Sequence, residues 1–401
     1  MRISTLSIYG NATSQLNSLQ SALARTQEQL ATNRRLVAPS DDPIASARAL
    51  QVSQSLQMND QFATNRSAAR SALGMTEGAL QDAGNLVQNI QELAVRAGSG
   101  ILQPSDREAL ATELEGRLAD LMGVANSSDG NGGYLFSGYR TTTQPYASVP
   151  GGARYDGDQG QRQMQVGASR KIPLSVPGST VFDANPTGNG RFQTQASATN
   201  IGTAVISTGS VTGPAGPGGY NFAVSFSGPG KFDVSDTSVT PPTVILPNQT
   251  YTPGAAIVFG GVSIEIKGSP AAGDTFTIAP SAKESVFTTV SNMITALRAP
   301  ADDAVGKAAL ANSLSTALGN LSAAHDSILT VRASVGSHMK ELEYLDSAGD
   351  DLDIQYQATL SDLEDLDMVK AISDFSRQQS TLQAAQMSFK TMSGLSLFNY
   401  L

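Results

Sequence analysis

The side chains that most often carry catalysis or bind metal ions are scarce in this sequence. It contains no cysteine and two histidines, His325 and His338. Cysteine nucleophiles, disulfide bonds and cysteine-based metal sites are therefore excluded. Neither histidine belongs to the His-Glu-x-x-His pattern of zinc hydrolases. We expect no catalytic residue, no cofactor and no metal site, and we expect that the protein is not an enzyme.

Three short motifs resemble ligand-binding loops only in part. Gly228-Pro229-Gly230-Lys231 precedes Phe232, so it lacks the hydroxyl residue that follows the lysine of a phosphate-binding loop. Residues 129–131 and 156–158 begin like calcium loops but have no glutamate at the twelfth position. We interpret the first motif as a turn, and calcium binding at the other two has little support.

Composition and charge exclude several classes of partner. The chain has 401 residues, of which 40% are hydrophobic, and a net charge of −9. Because lysine and arginine do not cluster, nothing supplies the phosphate neutralisation that dominates nucleic-acid binding. The apolar runs are far shorter than the roughly 20 residues that span a bilayer, so we expect no membrane insertion. Residues 1–16 lack the apolar stretch of a cleavable signal peptide, so export would use another route.

Hydrophobic periodicity predicts two helical arms around a glycine- and proline-rich middle. The first arm, to about residue 127, reads as three or four helices. In its first helix, residues at the heptad spacing of a coiled-coil seam are Leu16, Leu19, Leu23, Thr26 and Leu30. Ser40-Asp41-Asp42-Pro43 then offers a cap and a first turn for the next helix. Gly98-Ser99-Gly100 predicts a helix end, and a further helix is expected to start near Pro104.

The second arm has the strongest helical pattern in the chain. Residues 314–345 keep one heptad register that is apolar except at His338, where a polar side chain fixes the register or meets a carboxylate. Beyond Gly349 the pattern continues less regularly. We interpret the acidic patch at Asp362, Glu364, Asp365 and Asp367 as a solvated helical face.

Between the arms, short apolar segments bounded by turn residues predict strands. They lie at 133–139, 162–166, 171–176, 220–226, 244–246, 256–259, 262–266 and 275–278. The expected fold class is α+β and multidomain. It combines an elongated antiparallel, coiled-coil-like helical bundle of the two arms with a β-hairpin region and an inserted β-rich domain.

The N-terminal arm carries a segment that resembles a known family. Residues 29–43 are similar to the N-terminal signature of flagellins and hook-associated proteins of the bacterial flagellum, and Ser40, Asp41, Asp42 and Pro43 form its core. One departure is Asn33, where the family usually has glycine. This change affects the end of a helix and leaves the class unchanged.

A second set of segments narrows the resemblance within that family. Residues 126–139, 143–146 and 396–401 are similar to the hook-associated proteins of the hook-filament junction. The signature residues of the first of these segments are Gly133, Tyr134, Phe136, Gly138 and Tyr139. The likeness covers both arms and the first β segment, whereas the rest of the middle is less diagnostic.

This resemblance implies a structural subunit layered between the flagellar hook and the filament, outside the cell. Its implied partners are other copies of itself, the neighbouring hook-associated protein on the hook side, flagellin on the filament side and a flagellar export chaperone. It also implies export of the unfolded chain through the flagellar type III channel. A chain without cysteine, with heptads at both ends, suits threading and later folding.

We therefore predict three domains. Residues 1–60 with 346–401 form terminal assembly segments that are disordered or loosely helical in the free monomer, because their apolar stripes lack neighbours within one chain. Residues 61–185 with 284–345 form a helical core with the β-hairpin region, and residues 186–283 form an outer β-rich domain. The candidate assembly contacts are Leu16, Leu19, Leu23, Leu30, Leu363, Leu366, Phe375, Leu382, Phe389 and Leu397.

Two alternative functions remain open. The chain could be flagellin itself, which shares both arms, although the segment 133–139 argues against this. The insertion could be a glycan-binding adhesive module that uses exposed aromatic rings. The rings in question are Tyr220, Phe222, Phe226, Phe232 and Tyr251. Core packing of these rings is favoured, because aromatic residues of short strands usually face inward.

Overall fold

A computed structural model describes residues 5–99, 102–228 and 230–394 of the chain. Within these ranges six α-helices form the two arms. They are α1 (Thr5–Thr32), α2 (Pro43–Ala97), α3 (Pro104–Ala125), α4 (Val286–Arg298), α5 (Ala304–Glu364) and α6 (Met368–Gly394). Among the described residues, no helix combines the length and the hydropathy needed to cross a membrane.

Fifteen short strands lie between the arms in the described part of the chain. They are β1 (Tyr146–Val149), β2 (Gly152–Tyr155), β3 (Gln163–Gln165), β4 (Lys171–Pro173), β5 (Asn185–Pro186), β6 (Phe192–Ala196), β7 (Val205–Ile206), β8 (Ser210–Val211), β9 (Phe222–Gly228), β10 (Lys231–Asp236), β11 (Thr243–Thr250), β12 (Ala256–Phe259), β13 (Val262–Lys267), β14 (Thr275–Pro280) and β15 (Lys283–Glu284). A single π-helical turn, Ser179–Asp183, precedes β5. The α+β class with helical arms, hairpins and a β-rich insertion is confirmed.

Most strand predictions are confirmed as well. The predicted segments at 162–166, 171–176, 220–226, 244–246, 256–259, 262–266 and 275–278 correspond to β3, β4, β9, β11, β12, β13 and β14. The sequence did not predict the two-residue strands β5, β7, β8 and β15, because two residues are too few to show the alternating pattern of a strand.

Contacts divide the chain into two units. We call residues 1–64 with 344–401 the terminal unit and residues 65–343 the central unit. Both boundaries fall inside long helices, α2 and α5.

The predicted seam of the second arm forms one face of α5. Within the central unit this face is buried at Leu314, Leu321, Ile328, Val335 and Leu342. Helix α2 also carries apolar residues that are buried, at Leu73, Leu80, Val87 and Ile90. Burial of each such side chain contributes about 1.5–3 kcal/mol, so this seam is a principal source of stability in the central unit.

Polar contacts fix the register of α2 against α5. The Arg332 Nε of α5 donates to the Glu77 Oε1 of α2 at 2.7 Å. Gly84 lies beside His325, since a Cβ added at this glycine would be 3.9 Å from Nε2 of His325. Helices α3 and α4 also contact each other, and Arg298 of α4 is 2.6 Å from Glu115 of α3.

The β-rich insertion consists of antiparallel sheets around one apolar core. A five-stranded sheet has the order β11-β10-β9-β14-β6, and a second sheet has the order β12-β13-β7, with β8 also paired to β13. Their inner faces share a cluster of buried residues that includes Phe192, Val224, Val234, Ile264 and Phe276. Alternate residues of each strand supply this core, as the two-residue period of a strand requires.

Two buried amides attach the insertion to α5. The Asn312 Oδ1 accepts a hydrogen bond from the backbone N–H of Ile206 at 2.9 Å, and its Nδ2 donates to the Ala204 carbonyl at 3.0 Å. Asn320 accepts a hydrogen bond from the N–H of Gly188 at 2.9 Å. Buried amides with both groups bonded fix a docking geometry that apolar contacts alone leave less specific.

The predicted strand at 133–139 is wrong, because this segment is a compact loop with one isolated bridge at Tyr134. The Asp129 carboxylate accepts the N–H of Gly133 at 2.8 Å, and the Asp158 carboxylate accepts the N–H of Tyr139 at 2.8 Å. Backbone N–H groups that donate to these carboxylates hold the pKa of both carboxyl groups below the usual range. The main donor is Asn131 for Asp129 and Tyr139 for Asp158. Carboxylate bonds have replaced the backbone ladder that the apolar pattern predicts.

An aromatic cluster lies beneath this loop. Its rings belong to Phe136, Tyr146, Tyr155, Phe182 and Phe287. The Tyr146 hydroxyl donates to the Asp183 carboxylate at 2.8 Å. Burial raises the pKa of both groups, and it raises the pKa of Tyr155 to about 12. The cluster ties the loop, the hairpin β1–β2 and α4 into one apolar core.

We predict that Gly138→Ala destabilises the central unit by about 2–5 kcal/mol. Gly138 has a φ of +73°, which costs an L-residue roughly 1–2 kcal/mol. An added Cβ would also lie 2.2 Å from Oδ1 and 2.4 Å from the carbonyl oxygen of Asp158, and such overpacking adds about 1–3 kcal/mol. Thermal unfolding followed by the near-ultraviolet circular dichroism of the buried tyrosines measures the change.

Gly130→Ala is the matched control. Gly130 has a similar φ of +75°, but a Cβ there would meet nothing within 4 Å. We expect this variant to lose only the backbone term of roughly 1–2 kcal/mol. Equal losses in the two variants would contradict the proposed clash with Asp158.

Candidate assembly surface

Helices α1 and α6 pack antiparallel within the terminal unit. The rings of Tyr9 and Phe389 meet edge to face, with their centroids 6.0 Å apart. Further along, the Thr26 hydroxyl donates to the Oε1 of Gln378 at 2.9 Å. Thr26 is the polar member of the predicted α1 seam and is buried in the structure. The first and last described helices of the chain therefore cover part of each other's seam.

Nine of the ten predicted assembly contacts lie in the described part of the chain, and Leu397 lies outside it. Leu382 is buried, with 9% of its surface exposed. The other eight are half-buried: Leu16, Leu19, Leu23, Leu30, Leu363, Leu366, Phe375 and Phe389. The structure thus places these residues in the terminal unit with part of each side chain still accessible.

The sequence predicted that the acidic patch is one solvated helical face, and this prediction is wrong. Helix α5 ends at Glu364 and α6 begins at Met368, so Asp365 and Asp367 lie in the connection between them. The Asp367 Oδ1 accepts the N–H of Lys370 at 3.0 Å and caps α6. A capping aspartate satisfies a backbone donor that the first turn of a helix leaves free, which explains an acidic residue at this position.

The connection between α5 and α6 pairs with the residues that follow α1. The backbone N–H of Arg35 donates to the Glu364 carbonyl at 2.7 Å, and the Arg35 guanidinium donates to the Leu363 carbonyl at 2.6 Å. Asn33 directly follows α1 and has a φ of +52°, in the left-handed region. Glycine is the usual residue at such a helix end and asparagine the next best, so Asn33 is compatible with this turn.

Ser40-Asp41-Asp42-Pro43 forms the turn between α1 and α2. The Asp41 carboxylate accepts the N–H groups of Val37 and Ala38, both at 3.1 Å, and lies 2.6 Å from the Arg25 guanidinium of α1. These contacts, above all the N–H of Ala38, lower the pKa of Asp41. Because the contacts of Asp41 join the turn to α1, this part of the family signature is explained by folding.

The next residues of this signature start α2. The Asp42 Oδ1 accepts the N–H of Ala45 at 3.0 Å, and Pro43 is the first helical residue. The predicted cap is confirmed, with Asp42 as the capping residue. Ser40 is exposed in the turn.

Large apolar side chains are exposed at unusual density in the terminal unit. Among the described residues, half of all exposed large apolar side chains lie there, although the unit holds less than a third of the chain. We call these residues the terminal apolar surface: Ile44, Leu50, Met58, Tyr344, Leu352, Ile354, Met368, Val369, Ile372 and Met387. Large exposed apolar patches mark interaction sites on soluble proteins, so these residues are candidates for an assembly contact.

The predicted assembly contacts do not include these residues, because most of them lie outside the apolar pattern from which the contacts were selected. Helices α1 and α6 pack on each other, and the predicted contact residues that they carry are buried or half-buried in a single chain. Val369, with 81% of its surface exposed, and Ile372, with 54%, lie three residues apart near the start of α6. A search for apolar pairs outside the seam would have found them.

The histidine and acidic side chains of the described residues do not form a metal-binding cluster. In the ranges 5–99, 102–228 and 230–394, no three histidine or acidic side chains lie close enough to hold a metal ion. His338 is half-buried, with its Nδ1 3.9 Å from the Oε2 of Glu341. That carboxylate also receives the Arg170 guanidinium at 2.7 Å, which is the main cause of its lowered pKa. His338 therefore meets a carboxylate on its own helix, as predicted.

The aromatic residues of the insertion do not form a stacking platform for glycans. Phe222, Phe226 and Phe232 are at most 5% exposed and belong to the core of the sheets. Tyr220 and Tyr251 are partly buried against the same core, and the Tyr251 hydroxyl donates to the Gly268 carbonyl at 2.8 Å. The inward-facing interpretation of these rings is confirmed.

Comparisons with known proteins agree with the segments that carry the resemblance. The family model for the bacterial flagellin N-terminal helical region matches residues 3–141. Flagellar hook-associated protein 3 of Escherichia coli K12 is 29% identical over 399 residues, which cover 99% of each chain.

Solved structures give the same result. A crystal structure of flagellar hook-associated protein 3 from Legionella pneumophila is 35% identical, with a TM-score of 0.73, and the match covers 78% of this chain and 98% of that one. A structure of the flagellar junction protein FlgL from the same organism is 34% identical, with a TM-score of 0.71, over 79% and 100% of the two chains. The chain therefore belongs to the flagellar hook-associated protein 3 (FlgL) family of structural flagellar proteins.

Proposed function

We propose that this chain forms the junction layer between the hook and the filament of a bacterial flagellum, outside the cell. The likeness to flagellar hook-associated protein 3 over 99% of both chains is the observation that carries this proposal. The similar chain from Legionella pneumophila is a flagellar junction protein. The role is structural, without a catalytic step.

The terminal apolar surface supplies a physical basis for self-assembly. Val369 and Ile372 leave most of their surface in water, and burial of each side chain would contribute about 1.5–3 kcal/mol. Contact between such a surface and a different surface of the next copy is heterologous, and repeated heterologous contacts build a ring or a tube. The eight half-buried residues among the predicted assembly contacts, such as Leu16 and Phe389, become fully buried in the same contacts.

The ends of the chain acquire their final packing during assembly. In this proposal residues 1–60 and 346–401 are disordered or loosely helical in the free monomer, and α1 and α6 become fixed when neighbouring copies cover them. Residues 61–185 with 284–345 form the helical core, and residues 186–283 form the outer domain. Coupled folding and assembly keep the unassembled chain from polymerising before it reaches its site.

The proposed partners follow from a position between two structures. They are other copies of this chain, the neighbouring hook-associated protein on the hook side, flagellin on the filament side, and an export chaperone before secretion. Export uses the flagellar type III channel. The chain has no cysteine, so no disulfide bond can form during passage or outside the cell.

Flagellin is the less favoured alternative. The flagellin N-terminal helical model matches residues 3–141, whereas the likeness to hook-associated protein 3 extends over nearly the whole chain. Both families share the terminal arms, so the arms alone do not separate them. The remaining two thirds of the chain favour the junction protein.

A strain that lacks this protein should keep its hooks, carry no filaments and release flagellin into the medium. Without the junction layer, filament subunits have no surface on which to polymerise. Electron microscopy of the cells and immunoblots of the medium measure both effects, and a plasmid-borne copy should restore filaments. Short or misshapen filaments on the mutant cells would instead indicate a flagellin.

Val369→Asp should abolish filament attachment while the monomer stays folded. An acidic residue in the first turn of α6 is favourable for the helix, so the loss would come from a charge buried between copies. Complementation of the deletion strain and circular dichroism of the purified variant measure the two properties. Val239→Asp, at a 47% exposed valine of the central unit, is the matched control and should restore filaments. Normal filaments with Val369→Asp would remove this residue from the assembly contacts.

Deletion of residues 1–60 and 346–401 should leave a soluble, folded monomer that no longer joins hook and filament. The β-rich insertion and the aromatic cluster lie between the deleted ranges and keep their own apolar cores. Amide hydrogen exchange of the full-length monomer should show rapid exchange in the two terminal ranges and protection in the central unit. Strong protection of both ends in the free monomer would contradict assembly-coupled ordering.

A further inference from the structure

The chain contains two Asn-Gly pairs, Asn131-Gly132 and Asn189-Gly190. In such a pair the glycine amide nitrogen has no neighbouring Cβ to hinder its approach to the asparagine carboxamide. The same sequence chemistry is therefore present twice, and the fold decides whether each pair can react.

The first pair is free to rearrange. Asn131 is exposed at the tip of the loop between Asp129 and Gly133, where its backbone N–H donates to the Asp129 Oδ1 at 2.9 Å. No hydrogen bond among the described residues uses the Asn131 carboxamide or the Gly132 N–H. Gly132 has a φ of +84°, and a Cβ there would meet nothing within 4 Å, so the space around it is open.

In the second pair, hydrogen bonds hold both the Asn189 carboxamide and the Gly190 N–H. The Asn189 Oδ1 accepts the N–H groups of Arg191 and Phe192, both at 3.0 Å, and its Nδ2 donates to the Gly209 carbonyl at 3.3 Å. The Gly190 N–H donates to the Thr187 carbonyl at 3.2 Å. Attack within this pair requires several of these hydrogen bonds to break first.

We propose that Asn131 is a site of spontaneous deamidation in the folded protein and that Asn189 is protected from it. The Gly132 nitrogen, as its proton passes to base, forms a bond to Cγ of Asn131. The bond from Cγ to Nδ2 breaks, and Nδ2 leaves as ammonia after taking up a proton. Water then opens the cyclic imide at either carbonyl, which leaves aspartate or isoaspartate at position 131.

The reaction alters a loop that depends on its neighbouring carboxylate. Gly133 is buried, its N–H donates to Asp129 at 2.8 Å, and a Cβ there would lie 2.6 Å from the Asp129 Oδ2. Isoaspartate adds one methylene to the backbone two residues before this close contact, and either product adds a negative charge beside Asp129. The modified loop therefore loses hydrogen bonds that position residues 133–139 over the aromatic cluster.

The test is to age the full-length protein at mildly alkaline pH, native and in denaturant, and to quantify deamidation of its tryptic peptides by mass spectrometry. Cleavage after Arg117, Arg140, Lys171 and Arg191 places the two pairs in separate peptides. In the native protein Asn131 should react on the order of ten-fold faster than Asn189 or more, because each hydrogen bond that must open lowers the rate. In denaturant the two sites should react at similar rates.

Asn131→Gln provides the control for the consequence of the reaction, because the longer carboxamide reacts far more slowly. Aged wild-type protein should lose its near-ultraviolet tyrosine signal at a lower temperature than fresh protein, and aged Asn131→Gln should not. Equal native rates at Asn131 and Asn189, or protection of Asn131 in the native protein relative to denaturant, would overturn the proposal.

Discussion

The packing of helices from opposite ends of the chain is the interaction on which the rest of this structure depends. In the terminal unit α1 meets α6, with Thr26 bonded to Gln378, and in the central unit α2 meets α5, with Arg332 bonded to Glu77. These partners are more than 250 residues apart in sequence. Closing so long a loop costs conformational entropy, and the continuous apolar seams offset it.

The β-rich insertion fits within this helical framework because it has its own apolar core. Its sheets bury their inner residues against one another, and it contacts α5 through the amides of Asn312 and Asn320. A domain with its own core can be inserted between two helical arms without altering their seams. This separation explains how one chain combines a helical part with an additional β-rich part.

The family signatures are explained by folding and not by ligand chemistry. Asp41 and Asp42 hold a turn and cap α2, while Gly133 and Gly138 approach the carboxylates of Asp129 and Asp158 more closely than any other residue could. Each of these groups satisfies backbone donors that helix starts and tight loops leave unpaired. Asp129 also illustrates a consequence of such tight loops, since the exposed tip that it organises includes the reactive Asn131.

The sequence by itself determined the helical arms, most strands and the family. Periodicity over 30 residues, as from Leu314 to Leu345, has few structural alternatives, and the cap at Asp42 is a local property of the chain. Tertiary structure alone decided three features. These are the end of α5 at Glu364, the loop at 133–139 that replaced a predicted strand, and the exposure of Val369 and Ile372. Each depends on which distant groups supply hydrogen bonds or cover apolar surface. Periodicity shows only that a side chain is apolar. It does not show whether the neighbour that covers this side chain belongs to the same chain or to the next copy.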